Sequence, residues 1–311
     1  MIISSDSSWQ KCIFCKADSS SSISVEHVIP ESFGSKKVVL PRGMVCDKCN
    51  NYFATKLERP LLAHDSFRNI RACIRFQLKR EIFPLRGHIS GTDTPINLRL
   101  TNGKLDVRFE NELDERKYGP DLIPGLLAAD PNALIFIMQE DHPKAEMSRL
   151  LAKMALEALT YRHLQNKEFI ERLVDEPHFD RIRNYARYGS GPEWPFHQKR
   201  IFPIETLMRH PTTNAWVQFG FGHELFFSLN RELFFLFLLY GTEYVINLGG
   251  PSIIGYELWL KIHDGISPAI ERLGAKVVEK EVAGKKSFFI EGECDPIVGI
   301  EFDKTNGYIN F

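Results

Sequence analysis

Two cysteine pairs, each with two residues between its members, constrain this chain most. The pairs are Cys12 with Cys15 and Cys46 with Cys49. A Cys-x-x-Cys spacing places two sulfurs on one tight turn, so two such pairs can reach the same tetrahedral ion. Four thiolates fill the coordination sphere of zinc, and a closed site of this kind stabilises a fold without taking part in a reaction. The spacing therefore predicts a structural zinc site formed by these four cysteines.

Length and cysteine usage indicate a reducing compartment. The chain has 311 residues, six cysteines and a hydrophobic fraction of 43%. A chain this long can bury a large core without disulfides, so zinc-bound thiolates fit it better than a disulfide scaffold does. The strongest apolar run, Leu233 to Tyr240, is far shorter than the roughly 20 residues that span a bilayer. We expect a cytoplasmic protein with no membrane partner.

The charge balance excludes a general attraction to polyanions. The formal net charge is −1, so affinity for nucleic acid must come from a local patch. The best candidate is a helix predicted from Ser66 to about Ile82, which carries basic residues on one face. A merely solvated charged face is the ordinary alternative. The basic face consists of Arg68, Arg71, Arg75 and Lys79.

The segment between the cysteine pairs has the pattern of two strands and a helix. A β-branched stretch from Ile23 to Ile29 predicts a strand that Pro30 closes, and Lys37 to Leu40 is its candidate partner. A helix is predicted to open at Asp47 and to end before Pro60. A histidine, His27, lies on the first of these strands.

This region resembles the HNH endonuclease family, in the branch with a zinc-stabilised ββα-metal (His-Me finger) fold. The motifs are Cys12-x-x-Cys15, then Glu26-His27-Val28-Ile29-Pro30, then Cys46-x-x-Cys49-Asn50. They occur in the order typical of that branch and cover roughly residues 9–62. The resemblance implies hydrolysis of phosphodiester bonds that leaves a 5′-phosphate and a 3′-hydroxyl. It also implies a prokaryotic or phage setting, in defence, with double-stranded DNA as the favoured substrate.

The residue types also suit this chemistry directly. Hydrolysis of a phosphodiester needs a deprotonated water and a cation that neutralises charge on the leaving oxygen. A histidine has a pKa near neutrality and can act as general base, so His27 is the candidate. Carboxylate and amide oxygens suit Mg²⁺ or Mn²⁺, so Glu26 and Asn50 are the candidate cation ligands. Asn51 is the alternative to Asn50 if the register differs by one residue.

Two positions depart from the family pattern. Many members have Asp where this chain has Glu26, and neighbours on a regular strand point to opposite faces. Glu26 and His27 can therefore serve one site only if the strand is irregular. An asparagine usual a few residues before the third cysteine is replaced by the segment Leu40 to Val45, which leaves open how the loop behind His27 is held.

The whole chain is expected to be α+β. We divide it into an HNH zinc module at 1–62, a basic linker helix at 63–86 and a larger domain with mostly antiparallel sheet at 87–311. A sub-boundary is a candidate near 189–198. The larger domain is expected to bind a regulatory partner or a second copy. The competing hypothesis is a non-catalytic zinc module that binds nucleic acid or protein.

Overall fold

The fold is given by a computed structural model. It describes residues 9–33, 35, 37–64, 66–69, 85–89, 92, 94–101, 104–119, 121–129, 134–136, 142–202, 206–209, 216–218, 220–272, 276–282 and 285–291. The chain forms two compact units. The first combines Met1–Arg59 with Lys144–Lys304, and the second contains Pro60–Pro143 and Thr305–Phe311. This grouping differs from the sequence-based boundaries, because the stretch from Lys144 belongs with the N-terminal module.

The first unit begins with the expected strand, strand and helix. Strand β1 (Glu26–His27) pairs antiparallel with β2 (Val39–Leu40), and Glu26 lies opposite Leu40 while His27 lies opposite Val39. A short 3₁₀ turn, Glu31–Phe33, follows β1. Helix α1 (Asp47–Phe53) comes directly after the second cysteine knuckle. The ββα order predicted from the motifs is confirmed.

The helical segment does not end before Pro60, which corrects the prediction from sequence. A π turn at Ala54–Glu58 links α1 to helix α2 (Arg59–Ala63). The Arg59 N–H donates to the carbonyl of Ala54, five residues earlier. Proline lacks an N–H, and its ring collides with the preceding turn of a regular α-helix. The wider turn directly before Pro60 gives the ring the room that a regular turn lacks.

The described residues of the second unit from 85 onward form a four-stranded antiparallel sheet and two helices. The strand order is β5-β4-β3-β6, and the core contains Ile89, Ile96, Phe109 and Ile123. Thr101 pairs with Lys104, as the Asn-Gly dipeptide between them in the sequence favours. The elements are β3 (Leu85–Ile89), β4 (Pro95–Thr101), β5 (Lys104–Phe109), α3 (Glu112–Tyr118), α4 (Leu122–Ala129) and β6 (Leu134–Phe136).

Among the described residues, the first unit continues with three helices that are followed by two four-stranded sheets. The helices are α5 (Lys144–Arg162), α6 (Lys167–Asp175) and α7 (Asp180–Tyr188). The strands are β7 (Phe196–Arg200), β8 (Leu207–Arg209), β9 (Trp216–Gln218), β10 (Phe221–Phe227), β11 (Leu233–Leu239), β12 (Thr242–Asn247), β13 (Lys276–Val282) and β14 (Lys285–Glu291). Two further helices, α8 (Ile254–Ile262) and α9 (Pro268–Arg272), precede β13.

The core of the first unit lies under the sheet β10-β11-β12-β7, whose strands are all antiparallel. In the other sheet, β13-β14-β8-β9, only the β14–β8 pair is parallel among the pairs described. The apolar run of β11 is almost wholly buried, as a core strand should be. Helix α5 packs on this sheet and also contacts β2, the π turn and α7. The α+β class is confirmed, and no helix among the described residues is long and apolar enough to cross a membrane.

Candidate zinc centre and active site

The four predicted cysteines come together. Their Sγ atoms all lie within 4.8 Å of one another, and the Sγ atoms of Cys15 and Cys46 are 3.6 Å apart. A tetrahedral zinc ion with bonds of about 2.3 Å needs sulfurs about 3.8 Å apart. Three of the thiols are buried and Cys15 is half-buried. The donor set and its spacing therefore fit a structural zinc ion.

The surrounding groups favour a thiolate at Cys12, whereas burial raises the pKa of Cys15 to about 11. The N–H of Cys46 donates to the Sγ of Cys12 at 3.3 Å, and the N–H of Cys49 donates to the Sγ of Cys46 at 3.4 Å. A hydrogen bond from the Cys49 thiol, with help from backbone N–H groups, lowers the pKa of Cys12 to about 5. The same hydrogen bond and burial raise the pKa of Cys49. A metal ion would replace the shared proton between these sulfurs.

The loop that lacks the usual asparagine is held by backbone contacts. Gly43 has a φ of 84°, and a Cβ there would lie 2.6 Å from the backbone oxygen of Trp9. Only glycine fits this left-handed turn at such close approach. The Ser19 hydroxyl donates to the Gly43 carbonyl at 2.6 Å, and the Ile13 N–H donates to the Met44 carbonyl at 2.9 Å. The first knuckle thus braces the loop that leads from β2 to α1.

Helix α1 holds the strand that carries His27. Asp47 accepts hydrogen bonds from the backbone N–H groups of Ser24 at 2.9 Å and Ile23 at 3.2 Å. The Ser24 hydroxyl also donates to Asp47 and, with the Ser24 N–H, lowers the pKa of that carboxyl. The Nδ2 of Asn50 donates to the carbonyl of Val25 at 3.0 Å. Because Asn50 follows Cys49, the zinc knuckle, α1 and the residues before β1 form one connected assembly.

His27 is half-buried on β1. Its Nδ1 is buried and has no hydrogen-bond partner within the described part of the chain. A buried ring nitrogen is usually paired with protein or with ordered water. The described protein atoms therefore leave the hydrogen-bonding capacity of this nitrogen unused. Asn51, the alternative to Asn50, is exposed on α1.

Glu26 faces a different environment from His27. Its side chain is buried, with 7% of the residue exposed, and its Oε1 accepts a hydrogen bond from the Nζ of Lys153 at 2.8 Å. This agrees with the alternation of neighbouring side chains on a strand. As placed, the carboxylate is engaged by an ammonium group from α5. The described donors therefore do not fit a divalent cation held jointly by Glu26 and Asn50.

Lys153 is the centre of a buried ionic group that sequence reasoning missed. Its Nζ lies 2.8 Å from Glu26, 3.0 Å from Glu58 and 3.0 Å from Glu157, and its side chain is wholly inaccessible to solvent. We call these four residues the Lys153 cluster. The available signal was a lysine and a glutamate four residues apart within the apolar stretch Ala152–Leu159 of a helix. Charged side chains inside such a stretch are buried only when paired.

Burial and the neighbouring charges shift the pKa values in the Lys153 cluster in opposite directions. Burial alone would lower the pKa of Lys153, but attraction from Glu157, Glu26 and Glu58 outweighs it and raises that pKa well above its ordinary value. Burial raises the pKa of Glu157 strongly and raises that of Glu26. One ammonium group cannot neutralise the two buried carboxylates of Glu26 and Glu157 together with the half-buried carboxylate of Glu58. The cluster therefore retains a proton on a carboxyl group to a higher pH than an exposed glutamate does.

The predicted basic face is described only at its first member. Residues 66–69 are helical, and Arg68 is half-buried with its N–H donating to the His64 carbonyl at 2.9 Å. Arg71, Arg75 and Lys79 lie outside the described residues. The nucleic-acid-binding role of this face therefore stays a prediction.

One comparison with known proteins gave a match, which covers part of the chain. Residues 12–66 match the model of a family described as HNH endonuclease. Neither the comparison with curated proteins nor that with solved structures gave a match. The matched range contains the four clustered cysteines, both residues of β1 and the whole of α1. Residues 12–66 therefore form a module of the HNH endonuclease family.

Proposed function

We propose that this protein is an endonuclease that hydrolyses phosphodiester bonds of nucleic acid, with His27 as its general base. The observation that carries the proposal is the buried Nδ1 of His27, which has no hydrogen-bond partner among the described residues and lies on a strand that α1 holds in place. The family match at residues 12–66 supports nuclease activity in general. A histidine titrates near neutrality, so its neutral form can accept a proton at physiological pH.

The proposed reaction transfers one proton to His27 and releases O3′ as the leaving group. A water donates its proton to the free ring nitrogen of His27 as its oxygen attacks phosphorus, in line with the leaving O3′. The bond from phosphorus to O3′ breaks, and O3′ takes a proton from solvent. The products carry a 5′-phosphate and a 3′-hydroxyl. Protonated His27 then returns its proton to solvent.

Asn50 and Glu26 act on this histidine through the backbone. Asn50 fixes the Val25 carbonyl, two residues before His27, so it orients the strand. Glu26 was expected to bind a cation, but its ion pair with Lys153 supports a positioning role. The pair anchors one side of β1 in the core, which leaves His27 on the other side. The Mg²⁺ or Mn²⁺ expected from the sequence stays a prediction, to be tested by the metal dependence of cleavage.

Double-stranded DNA is the proposed substrate, and a regulatory protein or a second copy is the proposed partner of the C-terminal region. The chain as a whole is not basic, with a net charge of −1, so binding must depend on local charge such as Arg68 and the residues that follow it. The competing hypothesis is a zinc module that binds nucleic acid or protein without cleaving it.

A cleavage panel tests the proposal. The zinc-loaded protein is incubated with plasmid DNA, single-stranded DNA and RNA, each without added cation and with Mg²⁺ or Mn²⁺. We expect cleavage of the plasmid in the presence of a divalent cation, with ligatable 5′-phosphate ends. Binding of these substrates without cleavage under every condition would favour the non-catalytic zinc module. Cleavage confined to RNA would keep the enzyme class and overturn the choice of substrate.

A further inference from the structure

Helix α8 presents an apolar stripe to solvent. Ile254 is 70% exposed, Leu258 40% and Ile262 53%. Residues four apart on a helix lie on the same face, so these three side chains form one continuous stripe. Ile266, just beyond the helix end, is 48% exposed and adds a fourth large apolar side chain. Monomeric soluble proteins expose single aliphatic side chains commonly, but an aligned set marks an interaction surface.

The stripe rests on a firmly packed helix. On the opposite face, Tyr256 is fully buried in the core beneath the sheet, and Trp259 packs against the same core. The Tyr256 hydroxyl donates to the buried carboxylate of Glu243 on β12. The Ser267 hydroxyl donates to the other oxygen of that carboxylate. The outward face of α8 is therefore a preformed surface and needs no folding step to bind.

Two opposite charges border the stripe. Glu257 and Lys261 are both exposed, and neither side chain has an ion-pair partner within the described part of the chain. They lie on the same edge of the stripe, one helical turn apart. If two copies of α8 pack antiparallel about a two-fold axis, each Glu257 lies opposite Lys261 of the other copy. The same surface is thus self-complementary in both shape and charge.

We propose that this protein forms a two-fold symmetric dimer in which α8 packs antiparallel against α8 of a second copy. A two-fold interface uses the same patch on both subunits. The order of the charges along α8 fits this symmetry, because it gives two equivalent pairs of Glu257 with Lys261 of the other copy. A parallel two-fold arrangement would place the charged edges of the two copies on opposite sides of the interface, where Glu257 and Lys261 could not pair. The proposal does not depend on the nuclease assignment, and it gives an assembly with two HNH modules. One helix face per subunit makes a small interface, so we expect a dissociation constant on the order of micromolar.

Sedimentation velocity of the full chain tests the dimer at concentrations from about 1 to about 100 μM, which bracket such an affinity. We expect the mean mass to rise from monomer to dimer across this range. Leu258→Asp should raise the dissociation constant at least about tenfold, because it places two carboxylates at the centre of the interface. A wild-type protein that stays monomeric throughout would overturn the proposal, and so would a Leu258→Asp variant with unchanged association.

Charge reversal separates this interface from a non-specific apolar contact. Glu257→Lys alone should weaken the dimer, because it sets lysines opposite each other. Glu257→Lys combined with Lys261→Glu restores opposite charges and should recover most of the association. Glu171→Lys, an exposed reversal on α6, is the matched control and should leave association unchanged. A double variant that stays as weak as the single one would contradict the antiparallel register, and circular dichroism of each variant verifies that the fold is intact.

Discussion

At the scale of single residues, the least expected feature is a fully buried lysine shared by three glutamates. The ion pairs of Lys153 with Glu26 and Glu58 join residues of the HNH module to α5. Removing one partner of a buried pair generally costs about 3 to 5 kcal/mol, because it leaves an uncompensated charge in the core. Lys153 therefore matters to the position of β1, although it lies far from that strand in the sequence.

The pH dependence of stability tests the charge state of this group. The folded-state pKa of Glu157 lies well above its ordinary value of 4.5, so the native state holds a proton that the unfolded state releases. The contribution of this proton to the free energy of unfolding is fully present below about pH 4.5. It is lost as the pH rises toward the folded-state pKa of Glu157. Glu157→Gln removes this loss, so the stability of the variant relative to wild type should increase with pH. The difference in unfolding free energy between the variant and wild type should rise by up to about 1.4 kcal/mol per pH unit.

Urea unfolding of both proteins at a series of pH values measures this difference. Glu168→Gln is the matched control, because Glu168 is exposed on α6 in an ion pair one turn from Arg172. That substitution should leave the pH profile almost unchanged. Parallel profiles for wild type and Glu157→Gln would contradict the protonation that we assign to the Lys153 cluster.

At the scale of elements, α1 connects the zinc knuckle to β1. Cys49 belongs to the four-sulfur cluster, and the next residue, Asn50, bonds the segment before His27. Loss of a zinc ion held by these sulfurs should therefore disturb the proposed active site as well as the knuckle. Much of the free energy of zinc binding is folding free energy in small modules of this kind.

Cys49→Ser tests this connection. We expect the wild-type protein to carry one zinc ion per chain, and the variant to lose most of it together with cleavage activity. Elemental analysis of dialysed protein measures the metal content. Cys294→Ser, which changes a cysteine outside the two pairs, should retain the metal. A Cys49→Ser variant with full zinc content would mean that the four sulfurs do not form the site.

The elements of the module are readable in the sequence because their signals are local. Cysteine spacing, β-branched residues and the opening of α1 at Asp47 all act within a few residues, and the structure has the corresponding ββα order. The passage of the helix through Pro60 was not predictable, because proline normally ends a helix and the π turn before it has no clear sequence signal. The buried charge of α5 was also hidden, since its partners lie on other elements.

At the scale of the whole molecule, the HNH module and the stretch from Lys144 belong to one unit. Lys153 contacts Glu26 across 127 positions of sequence, and Arg183 contacts Ile13 across 170. Arg183 is buried and donates its Nε–H to the Ile13 carbonyl at 2.8 Å, beside the first knuckle. Pairings at such separations leave no local pattern, so this packing could not be read from the motifs of the module.

A fragment of residues 1–66 tests this dependence. The fragment retains the four cysteines and should still bind zinc, but it lacks Lys153 and Arg183. Glu26 and Glu58 then have no counter-charge in the core, so we expect no cooperative thermal unfolding. Calorimetry of the zinc-loaded fragment and of the full chain provides the comparison. A fragment that unfolds cooperatively and cleaves DNA as fast as the full chain would contradict the supporting role of α5 and α7.

The most direct test of the proposed nuclease is the His27→Ala variant in a plasmid cleavage assay with Mg²⁺ or Mn²⁺. General-base catalysis contributes about 10²- to 10⁴-fold to a rate, so cleavage should fall by at least about 100-fold. Zinc content and thermal unfolding should be unchanged, because the Nδ1 of His27 makes no hydrogen bond within the described residues. His178→Ala, at an exposed histidine outside the module, should cleave like wild type. A His27→Ala protein that still cleaves at the wild-type rate would contradict the account.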